Sequence, residues 1–195
     1  RPIEDLKIVA NKKLPTGNLD LGIDLGSVTV LRNPKGKIPT HIPDLDVALK
    51  GGVSPGEVAV LLGPANVGKT SILMWMGIAA LYSQCNVFYY SLEMSAQPII
   101  ERCLKAISGE STIYNQESIY DDREEMIVKP SILKKLKFVT QAFGGKFFVK
   151  EFSRVSTNEI RAHMAQCRAL GITPGLIIID HLFKMKPADT TRHYT

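Results

Sequence analysis

The sequence predicts an α/β fold, a mostly parallel sheet flanked by helices. Three observations carry that expectation. Strand-like and helix-like patterns alternate from Pro43 onward. The strand-like runs Val58–Leu62, Val87–Leu92 and Leu176–Ile179 are apolar or aromatic nearly throughout. Strands covered on both faces read that way, whereas half-exposed strands alternate. Finally, each run ends in residues suited to chemistry: the loop after Leu62, Glu93 and Asp180. Ligands of parallel sheets bind at those carboxyl ends.

Residues 1–38 are interrupted by Pro2, Pro15, Gly17, Gly22, Gly26, Pro34 and Gly36. They read as a linker or docking arm, with a β-branched strand candidate at Ser27–Leu31 and a turn at Asn33–Gly36. A frayed terminus is the competing reading. Residues 39–195 read as one folded core. Asp44 can cap a short helix carrying Leu45 and Leu49, ended by Gly51-Gly52 before a turn at Ser54-Pro55-Gly56. Val58–Leu62 is the first strand. A helix follows over Lys69–Ser83, with Ile72, Trp75, Met76, Ala79 and Ala80 on its inner side. Trp75 therefore reads as core. Val87–Leu92 is a second strand in which Tyr89 and Tyr90 face opposite ways. Ala96–Ile107 is a second helix. Ser108–Lys129 is polar, with Asp121, Asp122, Glu124 and Glu125, and reads as a surface insertion. Then come a helix over Ile132–Ala142, a short strand at Phe147–Val149, and a helix from a Thr157 cap to about Leu170. The last buries Ile160, His163, Met164 and Cys167. Gly171 and Pro174 close it ahead of Leu176–Ile179, the strand tipped by Asp180.

Composition limits the possibilities. Hydrophobic residues make up 45% and charged residues 22% of 195, globular proportions that exclude a disordered chain. Three widely spaced cysteines, Cys85, Cys103 and Cys167, suit neither a disulfide framework nor a zinc module and point to a reducing cytoplasm. The longest apolar stretches fall short of the roughly 20 residues of a membrane span, so no membrane partner is expected. A net charge of +5 is compatible with nucleic acid but too mild to argue for it.

The strongest motif is Gly63-Pro64-Ala65-Asn66-Val67-Gly68-Lys69-Thr70, which fits G-x-x-x-x-G-K-[ST] between an expected strand and an expected helix. A triphosphate must be met by many donors without obstructing side chains. Gly68 lets consecutive backbone N–H groups turn inward, and the helix beginning near Lys69 adds its positive end. Lys69 reaches the β- and γ-phosphates, Thr70 offers its hydroxyl to Mg²⁺, and Ser71 completes the nucleotide-binding stretch. ATP and Mg²⁺ are thus the expected ligands. Leu176-Ile177-Ile178-Ile179-Asp180 has the form of a Walker B strand, with Asp180 supporting the same ion. Glu93, where the second strand gives out, admits two readings from its position alone. It is either the base that polarises the attacking water or an acid placed against the next helix dipole.

Taken together, Gly51-Gly52-Val53-Ser54-Pro55-Gly56-Glu57, the phosphate loop, Ser91-Leu92-Glu93-Met94-Ser95 and Ile178-Ile179-Asp180-His181-Leu182 resemble the motor domain of hexameric DnaB-like replicative helicases. Asn66-Val67-Gly68-Lys69 resembles the bacteriophage branch in particular. The resemblance spans roughly residues 40–186. It implies a RecA-like P-loop NTPase core that the chain leaves incomplete on its C-terminal side, and a homo-oligomeric ring of six. It also implies ATP hydrolysis between subunits, translocation on single-stranded DNA, Glu93 as catalytic base beside Lys69, and possible dealings with primase and a helicase loader. The family's arginine finger and γ-phosphate sensor match no residue up to Thr195. His181 stands where the family often has Tyr, and it is read as filling an aromatic packing slot. His163 is read as core, His41 and His193 have no evident partner, and Arg102 faces either a carboxylate or a subunit boundary. Lys184, Lys186, Arg192 and His193 fall in the loop that the resemblance turns toward the ring channel; a solvated loop is the equal alternative. Two other functions compete: a RecA-type recombination ATPase that forms filaments on DNA, and a non-catalytic ATP-binding regulatory subunit.

Overall fold

The computed structural model describes residues 36–114 and 127–187. The strand candidate at 27–31, much of the acidic insertion, Arg192 and His193 lie outside the described residues.

Three parallel strands form the sheet: β1 (Val87–Ser91), β2 (Phe147–Glu151) and β3 (Leu176–Asp180). Their order is β2-β1-β3, and Ser91 stands level with both Glu151 and Asp180. The ends of β1 and β3, which Glu93 and Asp180 follow or close, therefore lie on one rim. The helices are α1 (Pro43–Ala48), α2 (Lys69–Tyr82), α3 (Ala96–Ser108), α4 (Pro130–Phe143) and α5 (Thr157–Ala169). Helices α2 and α3 cover one face: Met74, Ile78, Leu81, Ile99 and Cys103 pack on Val87, Tyr89 and Ile178. On the other face Ile160 and Met164 of α5 pack with Phe88, Tyr90 and Leu92. Successive β1 residues thus serve opposite layers, and Tyr89 and Tyr90 are both fully buried as the alternation requires. Burying a large apolar side chain stabilises a fold by about 1.5–3 kcal/mol, which makes β1, covered on both faces and paired on both edges, the anchor of the structure. Helix α4 packs outside α3 through Ile132 against Leu104 and Ile113.

Gly77 sets how closely α2 approaches the sheet. A Cβ there would stand 2.6 Å from Cε2 of Phe147 and 3.2 Å from Cδ1 of Ile178.

The structure corrects four expectations. Val58–Leu62 is not a strand of the sheet; Val58 is 89% exposed and Leu62 78%. The run is apolar yet neither buried nor paired, so composition alone does not make it a strand. Among the described residues nothing pairs the edge of β3 away from β1, so nothing links this run to the sheet. Trp75 is 41% exposed rather than core. Ala79 and Ala80 are buried as expected, but helix α2 is apolar nearly all round, and Met74, Ile78 and Leu81 share the inner side in place of Trp75. Asp44 does not cap α1: the cap position is Ile42, with Pro43 opening the helix. Asp46 instead braces the entry, accepting from Thr40 N and Oγ1 at 2.7 and 2.8 Å and from His41 N at 3.0 Å. Those bonds, the Thr40 backbone bond foremost, hold its carboxyl below the usual range. The cap of α5 is Ser156, not Thr157, in a reciprocal box with Glu159.

Candidate functional site

The phosphate-loop motif forms an exposed loop ending in Gly68, whose φ of 88° is left-handed and needs glycine. Asn66 shares that sign of φ, at 62°. Two left-handed residues in a short loop keep successive amides turned to one side. Helix α2 begins at Lys69 without a side-chain cap and without an acid in its first turn. Its first N–H groups are thus left for an anion. Lys69 Nζ donates to the carbonyl oxygens of Gly63 (2.9 Å) and Pro64, so the ammonium lies across the loop rather than on a carboxylate. A polyphosphate fits this donor set: charge, uncapped amides and a glycine bend with open space around it. Thr70 and Ser71 lie in the first turn of α2, on the helix that packs against all three strands.

On the sheet rim, Asp180 is 7% exposed, a buried acid at the tip of β3. Its partner is Tyr89, whose hydroxyl donates to Asp180 Oδ2 at 2.8 Å. Tyr89 stands level with Ile178, so its long side chain leans along the strand to reach the carboxylate two residues on. Burial first, and the Asp180 charge second, push the Tyr89 phenol far above its ordinary value, which keeps it a donor. Replacing Tyr89 by Phe removes that donor from a buried carboxylate. A loss of about 1.5–3 kcal/mol is expected, read as a lower urea midpoint; an unchanged midpoint would contradict the pairing.

Glu93 lies just past β1. Ser91 shapes its turn, with Oγ donating to Met94 O at 2.6 Å and accepting from Met94 N at 3.1 Å. Side chains of Glu93 and His181 are half-exposed and in contact, Nδ1 against Oε2. This overturns the packing-slot reading of His181: its backbone is left-handed, and that turns the ring out of the core and across the rim. The structure thus brings Asp180 and Glu93 to the tips of adjacent strands, through Tyr89 and His181 respectively. His163 keeps its core reading. Its Nδ1 lies 2.9 Å from the Tyr90 hydroxyl and its ring meets Phe88 and Tyr90 edge-on. Burial holds it below the ordinary imidazole range and pushes Tyr90 up to about 12. His41, without an evident partner in the sequence, lies with its ring centroid 5.8 Å from that of Tyr82, the planes tilted by 54°. Arg102 is exposed.

A second feature borders the rim. Ser153, Arg154, Phe183, Lys184, Met185, Lys186 and Pro187 line a shallow hollow. Lys186 N donates to Val155 O at 2.9 Å, tying the loop after β3 to the loop after β2. Three cations therefore edge one depression, beside a Phe183 that is 94% exposed. Arg154 carries no signal in the sequence, because only that tie places it beside Lys184 and Lys186.

All three cysteines are unpaired. No helix among the described residues is long and apolar enough to cross a membrane.

Comparison with known proteins agrees with this architecture. Two solved structures share it: one described as an ATPase domain, and one of a DnaB-like replicative helicase described with its interactions with primase. The first has a TM-score of 0.55 at 20% identity, covering 82% of this chain and 55% of that one. The second has a TM-score of 0.57 at 19% identity, covering 84% and 39%. Among curated proteins, the replicative DNA helicase DnaB of Helicobacter pylori strain J99 is 28% identical over 157 residues, 80% of this chain but 30% of its own length. The same protein of strain 26695 is 27% identical over a span of the same length. The chain thus spans under a third of those relatives. The family model for the DnaB-like helicase C-terminal domain matches residues 37–195, and it is to this family that the chain belongs.

Proposed function

We propose that this chain is the ATP-hydrolysing motor portion of a replicative DNA helicase, acting in a ring of six with nucleotide at each subunit boundary and single-stranded DNA through the centre. Residues 39–195 form the motor and residues 1–38 the linker or docking arm. The observation that carries the reading is the placement of two acids at neighbouring strand ends: Asp180 closes β3 level with Ser91, and Glu93 lies two residues beyond Ser91, against His181. Helix α2, with its open first turn, packs on the same sheet.

Gly63 to Ser71 take the phosphates, amides first. Lys69 exchanges the Gly63 and Pro64 carbonyls for the β- and γ-oxygens. Thr70 and Asp180 would hold Mg²⁺, which supplies positive charge against the phosphates. Tyr89 fixes the orientation of Asp180 for that purpose. Glu93 takes the proton of the water whose oxygen bonds to the γ-phosphorus as the bond to the β-phosphate oxygen breaks. Products are ADP and phosphate.

Arg154, Lys184 and Lys186 contact DNA phosphates, and Phe183 offers a face on which a base can stack. Each phosphate neutralised on a single strand contributes about 0.7 to the slope of log K against log salt. Lys184→Ala with Lys186→Ala is therefore expected to reduce that slope by about 1.4, measured by fluorescence anisotropy on oligothymidylate; an unchanged slope removes these lysines from the DNA path. Primase and a helicase loader are the proposed protein partners, in the cytoplasm of a bacterium or a phage-infected host. The reading as a whole is tested by ATP-dependent strand displacement from a forked duplex, with native mass spectrometry of the assembly. Unwinding by a six-fold assembly supports it. Coating of the strand without unwinding would instead identify a recombination-type filament.

A further inference from the structure

His181 immediately follows Asp180 and adopts φ 71° and ψ 57°. Only a few per cent of residues other than Gly take that conformation, His being among those that do so more often. A single 3-10 turn, Leu182–Lys184, fixes it, with Lys184 N donating to His181 O at 3.0 Å and Met185 N to Leu182 O at 3.0 Å. The consequence is directional. A continued strand would send the ring to the sheet face opposite Asp180, whereas the left-handed turn sends it sideways to the neighbouring tip, where Nδ1 meets Glu93 Oε2. Glu93 is itself free to turn, because the Ser91 bonds order the backbone around it and not its carboxylate.

We propose that His181 is a positioning residue for Glu93: its Nδ1–H holds one carboxylate oxygen, leaving the other to face the attacking water. The inference rests on Glu93 being the catalytic base. Both side chains are well exposed, 38% for His181 and 50% for Glu93, and exposed pairs add little to folding. A left-handed turn that delivers an exposed contact at the rim is thus accounted for by orientation of the base, not by scaffolding.

The test compares three variants of the intact protein. His181→Gly removes the donor and relaxes the backbone. It is expected to lower kcat for ATP about 10- to 100-fold, the cost of a misplaced group, with nucleotide affinity and melting temperature unchanged. His181→Asn keeps an N–H donor near Nδ1 and tolerates the left-handed backbone, so it should recover most of kcat. Glu93→Gln is run in parallel. If Glu93→Gln retains full turnover, the base assignment fails and the inference with it. If Glu93→Gln is inactive but His181→Gly has normal or raised kcat, the inference alone is overturned. Loss that Asn does not restore, or that appears as weaker nucleotide binding, also overturns it.

Discussion

Glu93→Gln is expected to bind ATP with unchanged affinity and to hydrolyse it about 10²–10⁴-fold more slowly, the usual contribution of a general base. The substitution keeps the shape of the side chain and its capacity to accept from His181, and it removes only the basicity. Binding is spared because the phosphate donors lie on the other element, the loop ending at Gly68 and the first turn of α2. Equilibrium binding of a fluorescent ATP analogue and steady-state phosphate release separate the two effects. Turnover at the parental rate would take Glu93 out of the mechanism and leave it as an acid set against the N-terminus of α3.

Lys69→Ala is expected to act on the other half of the site, weakening nucleotide affinity by about 30-fold or more. That corresponds to about 2 kcal/mol or more for truncating one partner of a close charge pair. The loop itself should survive. The ammonium meets only the Gly63 and Pro64 carbonyls, at the surface, and Gly68 and Asn66 hold the bend through their own backbone. A titration with parental affinity would contradict the phosphate role of Lys69. Together the two variants divide the site into a part that grips and a part that reacts.

Much of this is legible in the residues. A motif whose chemistry needs glycine and lysine at fixed spacing declares itself, and so does an apolar run closed by Asp180. What stays hidden depends on pairing. Tyr89 looks like an ordinary aromatic of a buried strand, and only the alignment of β1 with β3 brings its hydroxyl to Asp180. His181 escapes a sequence reading because one residue's sign of φ decides whether its ring packs or projects, and composition carries no trace of that sign. Val58–Leu62 misleads for the opposite reason. Its residues advertise a strand, but ladder bonds need a neighbour, and none pairs with it among the described residues. Trp75 misleads because a helix greasy on every side offers no pattern to read.

One absent methyl group has reach beyond its own neighbourhood. Gly77 sits about two turns along the rod whose leading end carries Lys69 and Thr70. A Cβ there would meet the Phe147 ring and Ile178, so either those side chains give way or the rod moves outward, and outward movement would widen the gap between its leading end and the Asp180 carboxylate. On the proposed reading, core fit and alignment of the site share one mechanical setting, and a screen for tighter packing at that spot would be a screen against the proposed chemistry.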